Sequence, residues 1–214
     1  MGTANTTTTS RPGLYKRLFA RMIASESKTE REYYNSRKRT LLGNLHGDVL
    51  EIGPGSGVNL AFYASDVRWQ GLEPNPAMYP YLLNEAKRLG IPVQLREGHA
   101  DRLDVADNSI DAVVGTLVLC SVPDQQHVLQ EIRRVLKPGG RFVFIEHVAA
   151  RRETGLRRRQ QFVRPLWSLL ADGCHPDRET WAAIDNAGFS DVQLEHFRIP
   201  MPIVGPHIAG YAVK

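Results

Sequence analysis

Cysteine is scarce: only Cys120 and Cys174 occur in 214 residues. They lie far apart, with no CxxC pair and no metal-ligand spacing. A disulfide framework is therefore excluded, no zinc site or other metal is expected, and a reducing, cytoplasmic setting is. Long apolar runs are also missing. None approaches the ~20 residues that a membrane-crossing helix needs, so no transmembrane segment is expected. The N-terminus is polar and Thr-rich where a secretory leader would be apolar. Neither sign of charge dominates: 27 Lys and Arg face 23 Asp and Glu, a net +4, with acids throughout, which argues against a nucleic-acid partner. No repeat and no second domain is evident, and the length suits one α/β domain.

What is present is an alternation. Residues 1–10 include a Thr run and are expected to be disordered. Over 12–45 the pattern is helical, with Leu14, Leu18, Met22 and Ile23 at helix spacing among Lys16, Arg17 and Arg21. Such a helix packs on the domain, or serves as a mobile lid or a membrane-surface helix. We expect a flexible N-terminus and helical lid over 1–45 and a single domain over 46–214. Beyond it, apolar β-type runs at 49–52, 67–72, 93–97, 110–117 and 141–147 are separated by helical segments after Gly57, from Pro76 to about Gly90, and over 125–136. Lys137-Pro138-Gly139-Gly140 stops the last of these. Residues 151–159 read as a basic connection, 162–170 and 178–187 as helices, and 192–197 and 207–213 as closing strands. Buried strands separated by helices imply right-handed βαβ units and a parallel sheet.

The most informative segment is Glu51-Ile52-Gly53-Pro54-Gly55-Ser56-Gly57, where a buried strand runs into a glycine-rich turn. In an open α/β sheet the ligand crevice lies beside this turn, at the carboxyl ends of the strands. A dinucleotide loop reads GxGxxG and receives a pyrophosphate. Here the pattern is ExGxGxG, and the Glu51 carboxylate would repel a pyrophosphate while suiting a cationic amino-acid group. Glu73 stands at the next strand end, in Leu72-Glu73-Pro74-Asn75-Pro76, where an acid can bind both ribose hydroxyls. Asp101, in Gly98-His99-Ala100-Asp101, could accept an adenine amino group or cap a helix. Met78 packs in the core or against adenine.

These motifs, with Asp111-Ala112-Val113-Val114 and Leu136-Lys137-Pro138-Gly139-Gly140, together resemble the class I S-adenosylmethionine-dependent methyltransferases. Further segments resemble the mammalian alkyl-thiol S-methyltransferases and their bacterial relatives. They are Thr116-Leu117-Val118-Leu119-Cys120-Ser121-Val122, Glu146-His147-Val148, Asp172-Gly173-Cys174, Arg178-Glu179-Thr180-Trp181 and Val204-Gly205-Pro206-His207-Ile208. The resemblance implies an α/β, Rossmann-like, doubly wound, seven-stranded and mostly parallel sheet with an antiparallel final strand. It also implies methyl transfer from S-adenosyl-L-methionine to a small-molecule thiol, leaving S-adenosyl-L-homocysteine. The mammalian members begin with an apolar membrane anchor; this chain begins polar and basic, so peripheral membrane contact is the most that is expected, in a monomer.

The cofactor-binding candidates are Glu51, Gly53, Pro54, Gly55, Ser56, Gly57, Asn59, Glu73, Pro74, Asn75, Met78, His99, Ala100, Asp101, Thr116, Leu117 and Val118. The catalytic candidates are His147, Asp172 and His207. His147 would take or polarise the thiol proton, with Asp172 orienting it or holding the acceptor, or His207 would fill that role. Tyr33, Tyr34, Cys120, Trp167 and Cys174 are candidates for the acceptor pocket, since aromatic faces favour a sulfonium. An oxygen or carbon acceptor, as in quinone or small-aromatic methylation, and a non-catalytic cofactor-binding module remain alternatives; a nicotinamide oxidoreductase fits the glycine spacing least well.

Overall fold

Val49, Leu50, Glu51 and Ile52 are buried, as a strand covered on both faces requires, and they form the middle of the sheet in the computed structural model, which describes residues 5–7, 12–25 and 28–214. This strand, β2 (Asp48–Ile52), pairs in parallel with β3 (Arg68–Glu73) on one side and β5 (Ile110–Thr116) on the other. Outward from β3 lies β4 (Gln94–Glu97), and outward from β5 lies β6 (Leu136–His147). β8 (Pro206–Val213) joins β6 antiparallel, and β7 (Asp191–Arg198) joins β8 antiparallel at the edge. From Asp48 onward this is the seven-stranded, mostly parallel sheet with a reversed final strand that the sequence led us to expect.

An eighth strand, β1 (Asn5–Thr7), pairs in parallel with β4 where disorder was expected; residues 1–4 and 8–11 of that stretch lie outside the described residues. The helical region over 12–45 is two helices, α1 (Leu14–Ala24) and α2 (Lys28–Leu42), with residues 26–27 outside the described residues. The helix expected after Gly57 shortens to one 3-10 turn, Leu60–Phe62, because few residues separate the glycine loop from β3. α3 (Tyr79–Leu89) ends where Gly90 adopts φ 70°, a left-handed cap that costs glycine little. α4 (Gln125–Val135) begins where the Asp124 carboxylate accepts from the amides of Gln126 and His127. α5 (Gly155–Leu170) starts inside the segment read as a basic connection: Thr154 caps it, and its arginines form the helix's first turns. A short α6 (Thr180–Asp185) precedes β7.

One apolar layer packs Leu129, Ile132 and Val135 of α4 against Leu50, Val113 and Phe142; Leu42, Val49 and Val143 lie in a separate cluster. The order of the strands puts the topological switch between β2 and β5, so the crevice opens at the carboxyl ends of these two strands.

Candidate active site

The glycine loop leaves β2 with Gly53, Gly55 and Gly57 all at positive φ. A Cβ at Gly53 would come 2.7 Å from Val118 Cγ2, whereas one at Gly55 would meet nothing within 4 Å. Gly55 is thus required by its φ of 56° and not by crowding, and its backbone borders open space. Glu73, 5% exposed, reaches this loop from the end of β3. Its carboxylate accepts from the Gly55 amide and from the Asn75 amide, each at 2.9 Å. Burial raises its pKa to about 7, against the pull of those two amides.

The next turn, after β5, is held by an acid that the sequence reading passed over. Leu117 takes φ 57°, an uncommon conformation for a side chain of its size, and so turns the chain sharply. Glu146, fully buried on β6, then accepts the amides of Val118 and Leu119 on Oε1 (2.8 and 2.9 Å) and of Cys120 on Oε2 (3.3 Å). Burial also lifts this carboxyl to about 7. Arg178 donates to the carbonyls of Leu119 and Val122, closing the turn from the other side.

The β6–β8 register decides what lies beside that turn. His147 pairs with His207 across the antiparallel ladder, so both imidazoles share a face, with ring centroids 6.2 Å apart. His147 Nε2 lies 3.0 Å from Cys174 Sγ, and the Trp167 indole N–H donates to the same sulfur at 3.2 Å. One donor atom each from Cys120, His147 and Cys174 falls within 4.8 Å of the others, and all three side chains are buried. Hydrogen bonds from Cys120, His147 and Trp167 hold the Cys174 thiol well below its usual range, and the same contact, with burial, pushes Cys120 up.

A model of the methyltransferase domain matches residues 50–144. The human thiol S-methyltransferase TMT1A is 41% identical over 196 residues, covering 86% of this chain and 80% of that protein. The chain belongs to the thiol S-methyltransferase family. Human thiol S-methyltransferase TMT1B is 39% identical over 94% of this chain and 88% of its own length. Among solved structures, a SAM-dependent methyltransferase of Thermotoga maritima aligns with TM-score 0.61 at 21% identity over 92% of this chain and 98% of its own. The [4+2]-cyclase SpnF aligns with TM-score 0.70 at 17% identity over 89% and 83%. A cyclase on this fold shows why the chemistry has to be argued from the site.

In this family member the structure gathers most residues that the sequence singled out, and redistributes others. Gly53, Pro54, Gly55, Ser56 and Gly57 lie in the turn after β2, Glu73, Pro74, Asn75 and buried Met78 at and just after the end of β3, and Thr116, Leu117 and Val118 at the end of β5. Glu51, assigned above to a ligand cation, instead takes three protein donors: Asn59 Nδ2 at 2.8 Å, Tyr63 Oη at 2.7 Å and Trp69 Nε1 at 2.9 Å. Its carboxylate ties the start of the loop to the neighbouring strand. Asn59 also donates to Thr116 Oγ1 and so bridges β2 and β5 as a strut. His99 and Asp101 are exposed in the turn after β4, with Ala100 half-buried between them.

Asp172 does not orient His147. It forms an ion pair with Lys16 at 2.9 Å, its amide donates to Tyr15 Oη, and together these bonds fasten α1 beside the end of α5. Asn75 Nδ2 donates to the Lys16 carbonyl, which brings α1 over the end of β3. His207 is no free base either. Its Nδ1 lies 3.0 Å from the Gly205 carbonyl and its Nε2 2.9 Å from Tyr34 Oη, and burial lowers its pKa to about 4, so it is neutral at pH 7. Tyr34 reaches the cluster through His207; Tyr33 is exposed. In the sequence only the segment Glu146-His147-Val148 pointed toward Glu146, and Tyr15 and Lys16 of the α1 clasp lie in no motif.

Proposed function

We propose that the chain transfers a methyl group from S-adenosylmethionine to the sulfur of a small thiol. The observation that carries this reading is the chemistry of the acceptor end of the crevice. It is built from sulfur, imidazole and indole, and its acids are engaged: Glu146 by three amides and Asp172 by Lys16. A phenol, with pKa ~10, needs a base to be nucleophilic at neutral pH; a thiol at ~8.5 needs only a modest depression.

The residues at the other end fit the donor. Glu73, anchored by two amides, offers acceptor lone pairs where a ribose would lie, and the left-handed glycine at 55 lets backbone approach it closely. When bound, the cofactor supplies an electrophilic methyl on a cationic sulfur. The chain's part is to hold donor and acceptor in line and to exclude water. The Leu117 turn leads the chain from the end of β5 to buried Cys120, and α1, clasped through Lys16 and Asp172, closes the side of Asn75. Labelled S-adenosylmethionine incubated with the chain should methylate alkyl thiols and leave phenols and quinols unlabelled. Label in phenols or quinols, and in no thiol, would overturn the acceptor assignment.

The same reading includes contact with a membrane surface. No helix among the described residues is long and apolar enough to cross a membrane. Yet Leu14 and Leu18 of α1 are 72% and 59% exposed, and Phe162 and Leu169 of α5 86% and 72%. The two helices are joined by Tyr15 and Lys16, and exposed Arg17, Arg21, Arg158 and Arg159 accompany them. Adjacent apolar faces with basic flanks suit an anionic bilayer surface facing a reducing cytoplasm. Flotation with anionic vesicles should carry the chain, and the double change Phe162→Glu and Leu169→Glu should abolish it; equal flotation of both proteins would end this part of the proposal.

A further inference from the structure

We propose that Cys120, His147 and Cys174 bind a divalent cation of the zinc class, leaving one coordination position open for the acceptor thiol. This rests on the thiol reading for the identity of the fourth ligand only. The three donors come from three separate turns: after β5, at the end of β6, and after α5. They converge to within 4.8 Å in a buried place, with His147 Nε2 and Cys174 Sγ already 3.0 Å apart. Tetrahedral zinc, with bonds of ~2.3 Å to sulfur and ~2.0 Å to nitrogen, sets neighbouring donors about 3.5–3.8 Å apart. The existing separations meet that geometry after shifts of about 1 Å or less.

Charge and softness agree with the distances. Two thiolates and a neutral imidazole balance a divalent ion, so the buried assembly carries no net charge. Thiolate with imidazole is a donor set that favours zinc over magnesium or calcium, which prefer oxygen. Supporting bonds are in place: the Trp167 indole N–H donates to Cys174 Sγ, and Glu146 fixes the Cys120 amide. His147 Nδ1 is buried without a hydrogen-bond partner. With Nε2 on an ion, that nitrogen would carry the proton. Three protein ligands with one open position is the arrangement of reactive zinc sites, whereas structural sites use four. A thiol entering the open position gives its S–H proton to bulk water and remains as a thiolate ligand; no other bond changes.

The test is elemental analysis of the chain purified without oxygen, with a phosphine reductant, from zinc-supplemented cells. One zinc per chain is expected. Cobalt(II) in its place should give thiolate-to-metal charge-transfer absorption, and adding a small alkyl thiol should shift the cobalt visible bands. Cys120→Ser and Cys174→Ser should each weaken cobalt binding by more than about a hundredfold, beyond what loss of an outer partner costs. Because either variant could unfold, the wild-type chain provides a second measure: bound zinc should protect both cysteines from alkylation, and a chelator should expose them. Folded, reduced protein that takes up no zinc and shows no cobalt charge-transfer band overturns the site, even if it methylates thiols. Stoichiometric zinc in a chain that methylates no thiol upholds the site and removes the acceptor reading instead.

Discussion

Replacing Glu73 with alanine should weaken binding of S-adenosylhomocysteine by about 10²–10⁴-fold, since two hydrogen bonds to a charged acceptor contribute roughly 1.5–3 kcal/mol each. The acid is buried and held between the Gly55 and Asn75 amides, so it cannot swing away to water. Its pKa of about 7 adds a pH signature. Hydroxyl groups donate to the ionised form, so affinity should fall by up to about tenfold per pH unit below 7 and level off above 8. In Glu73→Gln that slope should vanish. Stability of the ligand-free chain should run the other way. Glu73 and Glu146 both hold their protons to about pH 7 when folded, against 4.5 for an ordinary glutamate. Between these values the folded state binds more protons, so this contribution is present at low pH and is lost as pH rises through 7. Calorimetry at pH 6, 7 and 8 reads the affinity; unchanged binding by Glu73→Ala would remove the ribose assignment.

The half of the site proposed to hold the cofactor was legible in the sequence because its signals are local. The glycines and Glu73 sit at strand ends, where an apolar run stops at a turn, and periodicity locates strand ends. Glu51 was read wrongly for a physical reason: an acid inside a strand points to one face or the other of the sheet, and only the partners Tyr63 and Trp69 reveal which. The acceptor half was legible as individual residues and not as a group. Cys120, His147 and Cys174 meet only because α5 returns the chain to the ends of β5 and β6, and metal spacing rules read ligands that are close in sequence. The partnership of His147 with His207 is a matter of antiparallel register, which no single strand announces. The missing helix after Gly57 shows the converse, where the residue pattern allowed a helix and the short connection did not.

Loss of the Glu146 carboxylate should cost the fold about 3 kcal/mol. Glu146→Gln keeps the volume but replaces one acceptor oxygen with an N–H₂ group facing backbone amides. One or two of the three amides at Val118, Leu119 and Cys120 would then be buried without an acceptor, at about 1–3 kcal/mol each. A loss of about 3 kcal/mol corresponds to a fall in Tm of roughly 6–12 °C for a chain of this size. Glu146→Asp should fare little better, because a side chain shorter by one methylene cannot reach all three amides from β6. The consequence extends past stability. Leu117 keeps its left-handed φ only while the turn after it is tied down, and relaxing that turn would carry Cys120 away from His147 and Cys174. Urea unfolding of the three proteins, with alkylation rates of Cys120 in the folded state, separates the two effects. Glu146→Gln with wild-type stability and a Cys120 as protected as before would mean that the carboxylate does not hold this turn.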